Sequence, residues 1–137
     1  MAARLPRALA DAIVAHARAE APLEACGLVI GSAPPAADGT PLRYVACRNR
    51  LASPYRYEVH PDDLLRVVMT ADDAGEVLWA IVHSHVATAA VPSGTDIGLA
   101  TWPDALQLVV SLAGDAPVLH AWRIAAGHAR AVGLEIR

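Results

Sequence analysis

The spacing of apolar positions changes period several times along the chain, and each change marks an element. From Pro6 to about Ala19, Leu9, Ile13 and Ala17 recur at helical spacing behind a proline suited to a first turn, which predicts an amphipathic helix. Ala25 to Ile30 is a continuous small apolar run ending at Gly31, the pattern of a buried strand, and Ser32 to Thr40 reads as a turn. Leu42 to Arg48 and Tyr55 to Val59 read as two further strands separated by a polar stretch. Pro61 opens a second helix through Leu64, Leu65, Val67 and Val68 that stops before Gly75. Val77 to His83 has the look of a central strand, and its apolar run leads into two histidines where an ordinary strand would turn. Val86 to Pro92 is a small-residue loop, and Ser93 begins a third helix reaching about Ala100. Ala105 to Leu112, Val118 to Ile124 and His128 to Ile136 complete the set as three late strands, with turns at Gly114-Asp115 and Ala126-Gly127.

The order of elements is therefore mixed α and β, and no repeat or long linker divides it. A length of 137 residues suits one domain spanning 1–137, large enough for one core without staples. Hydrophobic residues at 55% against 18% charged place the chain among globular proteins. The net charge of -3 and the absence of a basic run argue against nucleic acid as a partner. Two cysteines, Cys26 and Cys47, are too few for a disulfide scaffold and point to a reducing compartment. Asp11, His16, Arg18 and Glu20 interrupt the N-terminal apolar run too soon for a signal or membrane segment, so the expected setting is cytoplasmic and away from membranes.

His83 and His85 stand two residues apart, which on an extended backbone turns both rings to one side of the sheet. Asp96, one turn into the following helix, can fold back across the loop and add an oxygen ligand. Two imidazoles and one carboxylate suit Zn2+ with a fourth position left for water, the pattern of a catalytic rather than a structural site. Glu24, just before an apolar strand, is the candidate proton carrier, and Ser93 the candidate donor to an oxyanion.

The run His83-Ser84-His85, seven residues, Ser93, two residues, Asp96 resembles the signature of the JAMM (MPN-plus) metalloprotease family, compact prokaryotic type. The stretch Pro22 to Leu28 is similar to the family segment carrying its catalytic glutamate, and Tyr57 to Asp62 lies where relatives carry a strand leading into the second helix. The resemblance implies a mixed sheet flanked by helices, similar to cytidine deaminases, and one zinc held by His83, His85 and Asp96. It implies hydrolysis of a peptide or isopeptide bond, commonly after the tail of a ubiquitin-like or sulfur-carrier protein, with Glu24 acting on water and Ser93 steadying the oxyanion. Val86 departs from the family, which usually has proline after the second histidine. The chain is also too short for the insertions with which eukaryotic relatives clamp ubiquitin.

Each part of the signature has a plainer reading. A histidine pair at a strand end is often only hydrogen-bonded, and Ser93 with Asp96 reads as a helix capping box. Glu20 and Glu58 rival Glu24. Cys26 in its apolar run suits an inert thiol better than a nucleophile. His16, His60, His120 and His128 lack ligand spacing, and Trp79, Trp102 and Trp122 suit core or boundary positions. A catalytically silent scaffold is the rival function, marked by a missing ligand, and none is missing. A deaminase would show H-x-E and P-C-x-x-C, and neither is present. A homodimer stays open.

Overall fold

In the computed structural model, residues 2–137 are described. The chain runs β1 (Ala3–Leu5), α1 (Arg7–Glu20), β2 (Cys26–Gly31), a 3-10 turn (Pro35–Ala37), β3 (Pro41–Cys47), α2 (Pro61–Asp73), β4 (Val77–His85), α3 (Gly94–Leu99), β5 (Leu106–Ser111), β6 (Val118–Ala125), β7 (His128–Val132) and β8 (Leu134–Ile136). Six strands form one sheet in the order β3-β2-β4-β5-β6-β7. All pairs in it are antiparallel except β4 with β5, which are joined by the crossover containing α3. Among the described residues no helix is long and apolar enough to cross a membrane.

The central strands β2 and β5 are buried along their whole length, as continuous apolar runs require. A core on one face of the sheet takes Ala10, Ile13 and Ala17 of α1 against Val29, Val82, Leu106 and Leu108. A second core on the opposite face takes Val67 and Ala71 of α2 against Cys26, Leu28, Ile30 and Ile81. The helical period thus places one buried stripe on each helix, and the sheet lies between them. Truncating Ile13, which is fully buried, costs about 2–5 kcal/mol. Gly27 is required where Tyr44 crosses β2: a Cβ there would lie 2.3 Å from the phenol oxygen. That oxygen bonds His16 Nδ1 at 2.7 Å, tying α1 to β3.

Three expectations fail. Tyr55 to Val59 is not a strand: its ladder consists of a single bridge, Asn49 to Val59, because the segment leaves β3 as an irregular loop. His128 to Ile136 is two strands rather than one. It breaks at Gly133, where the chain leaves β6 and turns to pair in parallel with β1, a strand the pattern did not announce. Pro6 caps α1 instead of sitting in its first turn. The histidine strand is longer than expected, since β4 continues through His85.

Candidate metal and catalytic centre

The extension of β4 creates the centre. His83 pairs across the sheet with Cys26, which belongs to the α2-side core, so both His83 and His85 project on that face. Neighbouring β5 runs parallel with His85 beside Ser111, and Leu112 N–H donates to the His85 carbonyl at 3.0 Å. Glu24 lies two residues before Cys26 and so on the same face. Its successor is locked to β4 by Ala25 N–H donating to Ser84 Oγ at 2.7 Å and Ser84 N–H donating to the Ala25 carbonyl at 3.0 Å.

His83 Nε2 lies 3.2 Å from His85 Nε2 and 3.0 Å from Asp96 Oδ2, and His85 Nε2 lies 3.2 Å from the same oxygen. Three ligand atoms on a tetrahedral zinc at ordinary bond lengths stand about 3.3 Å apart. The triangle therefore has the size of one face of such a site. His85 Nδ1 contacts the Ala89 carbonyl at 2.9 Å, a partner that can only accept, so the proton belongs on Nδ1 and the Nε2 lone pair faces the triangle. His83 is held by stacking on Tyr57, with ring centroids 4.3 Å apart and planes 13° from parallel. Its Nδ1 has no hydrogen-bond partner. With both Nε2 atoms deprotonated, three acceptor atoms stand 3.0–3.2 Å apart in a buried site, an arrangement that a cation satisfies.

Glu24 is 4% exposed, and its Oε1 is, with His83 Nδ1, a buried polar side-chain atom without a partner among the described residues. A carboxylate oxygen of Glu24 lies within 4.8 Å of the ligand atoms of His83 and His85. Two carboxylates thus approach one pair of imidazoles, and the nearer is Asp96. Burial pushes the Glu24 carboxyl up to about 7, against a smaller downward pull from His85. Burial also works to raise Asp96, yet the contacts with His83, His85 and the Ser93 N–H prevail and hold it well below the usual carboxylate range. His83 is lowered by burial, whereas in His85 the contacts to Asp96 and Ala89 overcome burial and raise it.

Ser93 and Asp96 do form the capping box: Asp96 N–H donates to Ser93 Oγ at 3.0 Å, and Ser93 N–H to Asp96 Oδ2 at 2.8 Å. The cap does not exclude a ligand role, because the capping oxygen is the same Oδ2 that meets both imidazoles. Val86 leaves the following loop ordered by other means. Ser111 Oγ donates to the Thr88 carbonyl at 2.6 Å and Trp122 Nε1 to the Ala90 carbonyl at 3.0 Å.

Of the remaining residues weighed from the sequence, His16 bonds Tyr44, and His60 Nδ1 accepts Asp62 N–H at the start of α2. Trp79 is buried in the α1-side core. Cys26 and Cys47 are free, buried cross-strand neighbours, their thiols pushed up by burial to about 12 and about 11. Neither is a nucleophile. Glu58 contacts Arg50, and Glu20 belongs to the end of α1. Tyr57 was missed as a site residue because only the tertiary course of its loop brings it onto His83. Size does not pick out the site either. The larger cleft, about 950 Å³ beside Trp79 and Leu106, lies toward the α1 side, whereas a cleft of about 360 Å³ opens beside Glu24.

Residues 6–125 match the model of a family described as prokaryotic homologs of the JAB domain. The chain belongs to that family. Among its relatives, the CysO-cysteine peptidase of Mycobacterium tuberculosis is 44% identical over 103 residues, 75% of this chain and 68% of that protein. The desampylase of Pyrococcus furiosus is 32% identical over 94 residues, 68% of this chain and 63% of the relative. A Desulfitobacterium hafniense protein solved in solution superimposes with a TM-score of 0.79 at 30% identity, covering 98% of this chain and 92% of its own. The prokaryotic JAB chain is thus a JAMM-type hydrolase with the mixed, helix-flanked sheet of that family.

Proposed function

We propose that this prokaryotic JAB protein is a zinc-dependent peptidase acting at the C-terminal tail of a small ubiquitin-like or sulfur-carrier protein. His83, His85 and Asp96 would hold one zinc. The observation that carries the reading is the 3.0–3.2 Å triangle of two imidazole nitrogens and one carboxylate oxygen, with the unpartnered Glu24 oxygen beside it. The names of the relatives supply the substrate class: one is a CysO-cysteine peptidase and another a desampylase.

A zinc held by these three residues would supply a Lewis acid for the scissile carbonyl and make water a stronger acid. The protein's own groups do the rest. Glu24, buried and without a donor on Oε1, takes a proton from the attacking water as oxygen bonds to the carbonyl carbon. It then returns that proton to the leaving amine as the C–N bond breaks. Ser93 Oγ, already accepting from Asp96 N–H, keeps its own hydrogen to donate to the oxyanion. The tail binds extended along a strand edge, where main-chain hydrogen bonds supply affinity and small residues fit near the scissile bond.

Elemental analysis of protein purified without a chelating tag is expected to find close to one zinc per chain. A sulfur-carrier protein extended by a single cysteine is then expected to lose it on incubation, as followed by mass spectrometry. No bound metal after zinc is supplied would overturn the site, and zinc with no cleavage of tailed substrates would overturn the substrate.

A further inference from the structure

Glu24 lies just outside the regular ladder, since β2 begins at Cys26 and its pairing with β3 begins at Cys47. On the β4 side Ser84 holds the next residue. On the other side, where β3 would be, the irregular loop 49–59 takes over. Glu24 N–H donates to the Ser53 carbonyl at 2.9 Å, and the Glu24 carbonyl accepts Asn49 Nδ2 at 3.1 Å. Both polar groups of the Glu24 main chain are thus held by one loop.

The Asn49 amide is saturated. Its Nδ2 also donates to the Arg56 carbonyl at 3.0 Å, and its Oδ1 accepts Leu51 N–H at 3.0 Å and Glu58 N–H at 3.1 Å. Two donors and two lone pairs are all that an amide side chain has. Its orientation is therefore fixed, because both Nδ2 partners are carbonyls and both Oδ1 partners are N–H groups. Ala52, a non-glycine residue at φ 44°, adopts the left-handed conformation immediately before Ser53. That conformation costs about 1–2 kcal/mol for an L-residue, and such strain persists where surrounding bonds enforce it. Further along, the same loop lays Tyr57 on His83.

We infer that Asn49 is a positioning residue for Glu24: its side-chain amide, with the strained turn at Ala52, fixes the main chain of Glu24 so that the carboxylate faces the imidazole pair. The inference rests on the proposed role of Glu24. An aspartate here keeps both acceptor bonds to Leu51 and Glu58, but where the amide donated it sets a carboxylate oxygen against the Glu24 and Arg56 carbonyls, which repel it. Asn49 thereby acts on reaction geometry without touching substrate, and a displacement of about 1 Å at a reacting group can lower a rate about 10²-fold.

The test compares Asn49→Asp, Ala52→Val and Glu24→Gln with wild type for zinc content, melting temperature, amide hydrogen exchange, and kcat and KM on the cysteine-extended sulfur-carrier protein. Expected for Asn49→Asp is a kcat lowered about 10- to 10²-fold at little-changed KM, full zinc, and faster exchange at the Glu24 N–H, whose own acceptor is the Ser53 carbonyl, as the freed main chain moves off the loop. Protection at Leu51 and Glu58 is expected to stay. Ala52→Val reaches the same main chain through Ser53 and is expected to lower kcat too, which covers an Asn49→Asp protein that folds poorly. An inactive Glu24→Gln beside wild-type kcat in both loop variants overturns the positioning role, whereas an active Glu24→Gln overturns the role of Glu24 itself. If wild type cleaves no such substrate, unchanged exchange at Glu24 in Asn49→Asp still overturns the inference.

Discussion

Two buried carboxylates on the α2 side of the sheet receive opposite treatment. Asp63, in the first turn of α2, accepts Arg48 N–H at 2.8 Å and Arg48 Nε at 3.1 Å, and its other oxygen accepts Arg48 Nη2 at 3.0 Å. Arg66 adds a longer contact of 3.5 Å. The Arg48 bonds hold the Asp63 carboxyl well below the usual carboxylate range. Glu24 has comparable burial and an oxygen with no partner, and burial lifts it to about 7. One carboxylate is committed to joining α2 to the end of β3, and its charge is fully answered. The other keeps its proton affinity, because what answers a charge also makes it a poor base.

The comparison breaks most visibly at the imidazoles. His85→Ala is expected to lose both zinc and turnover, as read by elemental analysis and the cleavage assay, and zinc retained near one per chain would remove His85 as a ligand. Glu24→Ala is expected to keep zinc and lose turnover by about 10²- to 10⁴-fold, the range of a proton-transfer group. Ser93→Ala is expected to lower kcat by up to about 10²- to 10³-fold, the range for one oxyanion donor. Because Ser93 also caps α3, local stability drops by about 1 kcal/mol. Wild-type kinetics would leave Ser93 only the cap.

Asp63→Asn sharpens the contrast from the other side: kcat and zinc stay at wild-type values while the melting temperature falls. The folded carboxyl is depressed and the unfolded one titrates near ~3.9, so its stabilisation is complete above about pH 4 and fades as pH falls toward the folded value. Melting curves of wild type and Asp63→Asn are expected to converge in acid, and a pH-independent gap would point to packing instead. The smallest effect has the opposite sign. In chelator-treated protein, the folded state keeps a proton on Glu24 between roughly 4.3 and about 7 that the unfolded chain has released. Wild-type stability therefore declines through that window relative to Glu24→Gln, and parallel melting curves at pH 5 and pH 8 would show Glu24 to be less buried than described.

The elements that periodicity could read are those whose own residues fix their environment. α1 and α2 each carry one apolar stripe, and β2 is apolar throughout, so their places follow from burial alone. The proximity of His83, His85 and Asp96 was legible for a related reason: a strand alternates its faces, and a short loop returns the chain. What stayed hidden depends on partners far along the chain. β1 exists because β8 lies beside it, and Ala3 to Leu5 carries no pattern of its own. Tyr55 to Val59 has the β-rich composition of a strand, yet its polar groups are taken up by Asn49 and Arg50, which leaves it irregular. The pairing of Tyr57 with His83 and of Asn49 with Glu24 belongs to that same loop, and neither has a sequence spacing that could announce it.

The bond from Trp122 Nε1 to the Ala90 carbonyl makes β6 an optical witness to the loop that ends β4. Trp79 is enclosed in the core with its indole bonded to the Gly39 carbonyl, and Trp102 is partly exposed just beyond α3. Trp122 alone of the three indoles grips the segment whose Ala89 carbonyl orients His85. A rearrangement of that segment that breaks this bond, whether by a metal entering or a tail arriving, would change the hydration of this indole. The chain therefore carries its own fluorophore for the event, with no dye attached.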